Sequence, residues 1–321
     1  MKDLRLSATG LEVDHDGAPL QAFADTVLRG LGQVMLQNNS YAGLLFLAGI
    51  ACNSPVFAGA ALLGTLASTL AAIALEADRQ MLRQGMFGFN GGLVGIALLC
   101  FLQPTPLAWA CVALAAAGST LVLAALQNAL AAARLPVLTA PFVLTSLCVL
   151  LASTRFGRLQ ASDLLPTPGL PNGASLEGVA TASTLGEGLL TGVGQVFLQD
   201  NMLTGALFIL GLFVASRRAC LAALAGSLSG MLVAWAMGAA EPAIRSGLFG
   251  YNSVLVAIAL SGAALAPGRI AIACGLFATL ATPFVTAASA AALEPLGLPA
   301  LTLPFVLVTW TALLASRFST S

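Results

Sequence analysis

The chain carries the same passage twice. Residues 30–50 read GLGQVMLQNNSYAGLLFLAGI and residues 192–212 read GVGQVFLQDNMLTGALFILGL, with Gln33 and Gln195 separated by 162 positions (195 − 33 = 162). The same offset maps GMFGFNGGLVGIAL at 85–98 onto GLFGYNSVLVAIAL at 247–260, and an offset of 163 maps LPVLTAPFVL at 135–144 onto LPALTLPFVL at 298–307. Three blocks recurring in order within apolar sequence are the layout of a duplicated membrane transport protein, whose solute path lies at the repeat interface near the bilayer midplane. Function is therefore to be read from the polar residues kept in both copies.

Composition supports the membrane reading. Hydrophobic residues make up 58% of the chain and charged residues 8%, with mean hydropathy +0.94, where a soluble domain carries about a quarter charged residues. Gly30 to Leu75 and Gln84 to Ala133 contain no Asp, Glu, Lys, Arg or His, and each run is long enough for roughly two spans of ~20 residues. Charges mark the breaks, at Glu76, Asp78, Arg79 and Arg83, at Arg155 and Arg158, and at Arg217 and Arg218. The blocks between breaks number about five per half. An odd number forces the second copy to insert in the opposite sense, so the expected fold is an all-α polytopic membrane protein of about ten spans in two inverted-repeat halves. Residues 1–20 form a polar N-terminal segment without the apolar core of a cleavable signal. Residues 21–154 are the first half, 155–186 the linker, Pro-, Gly- and Ser-rich over 155–178, and 187–318 the second half.

Several chemistries are disfavoured. Cys52, Cys100, Cys111, Cys148, Cys220 and Cys274 lie in apolar blocks with no CxxC spacing and read as buried free thiols, giving no disulfide framework and no metal site. The single histidine, His15, is expected to be a solvated side chain without a role. No cofactor is implied. Intramembrane charges usually mark ion pathways or counter-charges, and the repeated blocks hold one acid, Asp200, standing where the first copy has Asn38. Asp200 is expected to cap the helix that begins near Met202. The path should thus serve an uncharged solute without ion coupling. An enzyme would need a nucleophile with a base or a metal set, and the repeated blocks contain no His, Lys or Arg.

What the two copies share is amides, hydroxyls, glycines and aromatics. Gln33 and Gln195 each follow Gly-x-Gly; placed at helix N-termini that stop in mid-membrane, they would offer C=O acceptors to a solute, because broken helices are tolerated there only where they line a cavity or are buried in protein. Phe89 and Tyr251 match, each followed four residues later, on the same helical face, by Leu93 and Leu255. Two facing aromatics would make a flat slot. Thr139 and Thr302 lie between prolines, and Pro141 and Pro304 each free a carbonyl four residues upstream, so hydroxyls and carbonyls together would form a ladder of acceptors.

Gln-Val followed by Asn/Asp-Asn, Gly-x-Phe-Gly-aromatic-Asn, and Leu-Pro-x-Leu-Thr-x-Pro-Phe, each present twice, resemble the urea transporter family from about Ala24 to Phe318. The resemblance implies a homotrimer with one pore per protomer, two inverted halves of five spans plus a short re-entrant helix each, and passive, channel-like permeation of urea across the lipid bilayer. It implies that Gln33, Gln195, Thr139 and Thr302 form the polar side of a narrow filter. Phe89, Leu93, Leu255, Val34 and Val196 match its apolar walls, and Tyr251 stands where Phe is usual. Ser40 and Met202 stand where the family usually has Pro, and Leu36 and Leu198 where it often has Phe, so the slot is expected to be wider. Urea is planar, uncharged and dipolar, and losing its water costs several kcal/mol unless its N–H groups meet acceptors. The alternatives are a channel for short amides, ammonia or water, and an ion-coupled secondary transporter. An aquaporin would show Asn-Pro-Ala motifs, and an ammonia channel would need an intramembrane His. The bare loops point to a bacterial inner membrane.

Overall fold

The structure, a computed structural model, describes residues 5–12, 19–171, 178–262 and 269–319. His15 and residues 172–177 of the linker lie outside the described residues. A short antiparallel ribbon, β1 (Arg5–Ser7) and β2 (Gly10–Glu12), precedes α1 (Pro19–Gln33), α2 (Ser40–Asn53), α3 (Pro55–Ala74), α4 (Arg79–Arg83), α5 (Gly88–Phe101), α6 (Pro106–Leu130) and α7 (Ala140–Ser153). The second half follows as α8 (Ala182–Gly194), α9 (Met202–Ala215), α10 (Arg217–Ala236), α11 (Glu241–Arg245), α12 (Tyr251–Ser261), α13 (Arg269–Leu293) and α14 (Leu303–Ala315). Seven helices thus recur in order, in register with the sequence repeat.

Local chemistry dictates these boundaries. Asn39 and Asn201 cap α2 and α9, each side chain accepting the N–H three residues on, at 3.0 Å. Ser54 closes α2 and caps α3 ahead of Pro55, while Ser216 closes α9 and caps α10, so each pair turns on a single residue. The cap of α9 is Asn201; Asp200 is exposed and makes no cap. The expected role of Asp200 fails because the extended backbone that a cap requires falls one residue later.

Among the described residues four helices, α3, α6, α10 and α13, are long and apolar enough to cross a membrane, and the bent pair formed by residues 182–197 and 202–215, folded by 74°, makes a fifth candidate. Five further apolar helices are shorter. The long helices are less than half buried within the chain and carry exposed Leu70, Leu114, Leu121 and Leu221, as lipid-facing spans do. The shorter helix α5 is by contrast buried along its whole length, so the helix bearing Phe89 and Leu93 is enclosed by protein on all sides.

The halves meet through equivalent parts. Phe46 of α2 packs on Phe208 of α9, ring centroids 5.2 Å apart, and Phe197 joins both. A Cβ on Gly49 would fall 2.8 Å from the Phe208 ring, and one on Gly211 would fall 2.7 Å from the Phe46 ring. The contact is reciprocal. Asn53 Nδ2 donates to Gln199 Oε1 at 2.8 Å and Thr204 Oγ1 to Gly49 O at 2.8 Å. Residue numbers rise along α2 as they fall along α9, so these equivalent helices run antiparallel.

Candidate functional site

Gln33 is the last residue of α1, and Gln195 closes α8 at the start of a single 3-10 turn, Gln195–Phe197. Both amides therefore sit at helix C-termini, not at the N-termini expected from sequence. The Gly-x-Gly that precedes each lies within its helix, and its second glycine serves close approach. A Cβ on Gly32 would lie 2.6 Å from Gln37 O, and one on Gly194 would lie 2.7 Å from Gln199 O. A C-terminus presents backbone carbonyls rather than N–H groups, so the acceptor character survives the correction. The chain then reverses through Leu36 (φ 60°) and Leu198 (φ 56°), a left-handed conformation that costs a non-glycine residue on the order of 1–3 kcal/mol. Gln37 and Gln199 pin the reversal, their Nε2 groups donating to Met35 O at 2.8 Å and Phe197 O at 2.7 Å.

The third block repeats this backbone device. Leu138 (φ 55°) and Leu301 (φ 49°) repeat the left-handed kink just before Thr139 and Thr302, which stand at the N-cap positions of α7 and α14 without a side-chain capping bond. The two threonine hydroxyls meet at 2.7 Å, both side chains buried. The carbonyls upstream of the prolines are not left free: Val137 O accepts from Ala140 N at 3.3 Å and Ala300 O from Leu303 N at 3.2 Å. The tight turn closed by the left-handed leucine supplies these donors, and the carbonyls left for side chains are those of Leu138 and Leu301.

Asn90 and Asn252 claim them. Asn90 Nδ2 donates to Leu138 O at 3.4 Å while its Oδ1 accepts from Phe142 N at 3.0 Å. Asn252 does the same for Leu301 O at 3.3 Å and Phe305 N at 3.2 Å. Each amide replaces the helical bond that a chain entering a helix through proline would otherwise make there. Both asparagines stand in the second repeated block, and their duplication inside apolar sequence is the signal that marks them, though no role follows from pattern alone.

Val34, Phe89, Leu93, Val196 and Leu255 are all buried in one continuous apolar cluster, against which Leu198 and Tyr251 pack half-buried. Leu36 stands apart from it at 37% exposure, so it is not brought into the cluster with the others. Gln33 is buried and tethered, its Nε2 donating to Gln84 O at 2.9 Å. Gln195 is half-buried, and among the described residues no hydrogen bond holds its amide. Phe89 and Tyr251 do not form the ring contacts of the fold, which belong to Phe46, Phe197 and Phe208.

A family model described as urea transporter matches residues 24–317. The chain belongs to the urea transporter family. Urea transporter 1 of Rattus norvegicus is 34% identical over 300 residues, covering 91% of this chain and 77% of that protein. The proteins of the same name from Ovis aries and Mus musculus are each 33% identical over the same length. Within this family member two arginines carry ion pairs. Arg29 pairs with Asp25 at 2.5 Å, and Arg245 pairs with Glu187 at 2.7 Å and Glu241 at 2.5 Å. The Arg245 guanidinium, and after it the Thr184 hydroxyl, hold the Glu241 carboxyl below the usual carboxylate range. All six cysteines are free; Cys52 and Cys148 are exposed, contrary to the expectation that every thiol is buried, because they lie on outward faces of α2 and α7. Among the described residues no three metal-ligating side chains gather.

Proposed function

We propose that this protein conducts urea passively through a narrow pore formed where its two halves meet. The observation that carries the reading is the contact between Thr139 and Thr302: residues 163 positions apart, equivalent in the repeat, share a hydrogen bond of 2.7 Å at the N-caps of two equivalent helices. A residue touching its own counterpart lies on the axis that relates the copies, and duplicated transporters place their solute site there. Left-handed Leu138 and Leu301 directly precede the two threonines, and backbone strain of that kind gathers at functional sites. Gln33 and Gln195, with the threonine hydroxyls, form the polar side; Val34, Phe89, Leu93, Val196, Leu198, Tyr251 and Leu255 form the apolar walls, with Leu36 at the more open margin.

The chemistry suits the solute. Acceptors along one side replace the water that urea loses, and apolar walls exclude ions, whose desolvation is far more costly. The polar side contains no carboxylate, which suits uncoupled movement down a gradient. The antiparallel run of α2 and α9 supports two halves inverted about an in-plane axis, with the shorter apolar helices completing about ten spans. A homotrimer with one pore in each copy, in the limiting membrane of a cell, belongs to the same proposal and rests on the family resemblance.

The test is stopped-flow urea flux into proteoliposomes of the purified protein. Flux should be fast, linear in urea concentration and indifferent to imposed pH or sodium gradients. Flux that requires either gradient would establish coupled transport instead, and rates equal to empty liposomes would reject urea as the solute.

A further inference from the structure

The two copies of the second block differ in one chemically decisive way. In the first half, among the described residues, the only side-chain donor on Leu138 O is Asn90, at 3.4 Å, and the adjacent ring is Phe89, which has nothing to donate. In the second half Leu301 O accepts from Asn252 Nδ2 at 3.3 Å and also from the Tyr251 hydroxyl at 2.6 Å. A carbonyl oxygen has two lone pairs. Two donors fill Leu301 O, whereas Leu138 O keeps one site in reserve. Both carbonyls belong to left-handed leucines, and each directly precedes a threonine of the pair that meets at 2.7 Å.

We propose that the Tyr251 hydroxyl sets the solute preference of the pore by occupying the Leu301 carbonyl. This rests on the channel reading given above and adds to it a specificity device that only one half possesses. Where twofold symmetry would leave two spare carbonyl acceptors beside the threonine pair, Tyr251 leaves one. The same bond ties the ring to the Leu301–Thr302 peptide, so Tyr251 acts as a positioning residue for Thr302 as well as a wall. An acceptor matters most to a solute rich in N–H groups. Urea carries an NH₂ at both ends of its carbonyl and acetamide at one end only, so the number of spare acceptors is read out as the ratio of their permeabilities.

Tyr251→Phe keeps the ring and releases the carbonyl, while Phe89→Tyr supplies the matching hydroxyl in the first half. In proteoliposomes assayed with urea and acetamide side by side, Tyr251→Phe should raise the urea-to-acetamide ratio by about fivefold, the effect of one net hydrogen bond. Phe89→Tyr should lower it by a similar factor. A tyrosine that merely braces the fold would, when replaced, lower both permeabilities together and leave the ratio where it was. An unchanged or reduced ratio in Tyr251→Phe, with the parent protein conducting urea, overturns this inference and leaves the channel reading intact. Absence of urea flux in the parent overturns both. Should Tyr251→Phe fail to fold, Phe89→Tyr decides the question through the opposite shift, since Phe89 has no polar bond to lose.

Discussion

The two halves share a backbone and differ in how it is held. Each ends a helix at a glutamine, reverses through a left-handed leucine, caps the next helix with asparagine and kinks again before a threonine. The supports around this frame are not shared. In the first half the turn of the N-terminal ribbon is bonded over the reversal: Asn39 Nδ2 donates to Ala8 O at 3.2 Å and Ser40 N to Thr9 O at 3.2 Å. The proline usual in the family at the position of Ser40 would have no N–H for that bond. Arg29 adds a hydrogen bond to Asn38 Oδ1 at 2.8 Å. Among the described residues the second half shows no such cover; there the Arg245 cluster ties α8 to α11. The same backbone frame is thus held by different side chains in the two copies.

The largest effect should come from the paired asparagines. Asn90→Leu orphans a buried carbonyl and a buried N–H together, a loss on the order of 2–6 kcal/mol. Asn252→Leu should cost measurably less, because Tyr251 still donates to Leu301 O. Melting of the two variants in detergent ranks them; equal losses would break the comparison. Next is Gly10→Val. Gly10 has φ +142°, and a Cβ there would lie 2.7 Å from Arg29 Nη2 and 2.8 Å from Asp25 Oδ1. The variant should release the ribbon, with about 1–3 kcal/mol of local strain, seen as rapid proteolysis before α1 while the second half keeps its protection.

Gln33→Ala and Gln195→Ala should each reduce urea flux by about tenfold, but only the first should also lower stability, by about 1 kcal/mol, because only Gln33 has a tether to lose. The smallest effect concerns pH. Glu241 is held below its unfolded value near 4.3, so its contribution is present at neutral pH and is lost as pH falls through that lowered value. Arg245→Gln should flatten this acid-side loss in a melting series, whereas Arg29→Gln should leave it unchanged.

Sequence legibility followed the duplication. The repeated polar residues stood out because each is expensive in apolar sequence, and the structure brings Val34, Phe89, Leu93, Val196 and Leu255 into one cluster and the threonines into contact. Direction along a helix was not legible: Gly-x-Gly before Gln33 reads as a break, whereas the glycines admit the returning loop. The Asp200 cap failed by one residue, a boundary set by backbone angles that side-chain pattern does not encode. Proline spacing frees the carbonyls of Val137 and Ala300 on paper, but the left-handed leucines that let the local turn satisfy them leave no mark in the side-chain pattern. Contacts between halves, such as Phe46 with Gly211, required the fold itself.

The central claim is that the equivalent threonines meet on the path of the solute. Thr139→Cys combined with Thr302→Cys places two thiols where hydroxyls lie 2.7 Å apart, close enough for a disulfide. Stopped-flow urea flux should fall to the empty-liposome rate on oxidation and return on reduction, with each single variant unaffected by either treatment. A cross-link that forms while flux continues unchanged, or thiols that do not cross-link, would contradict the claim.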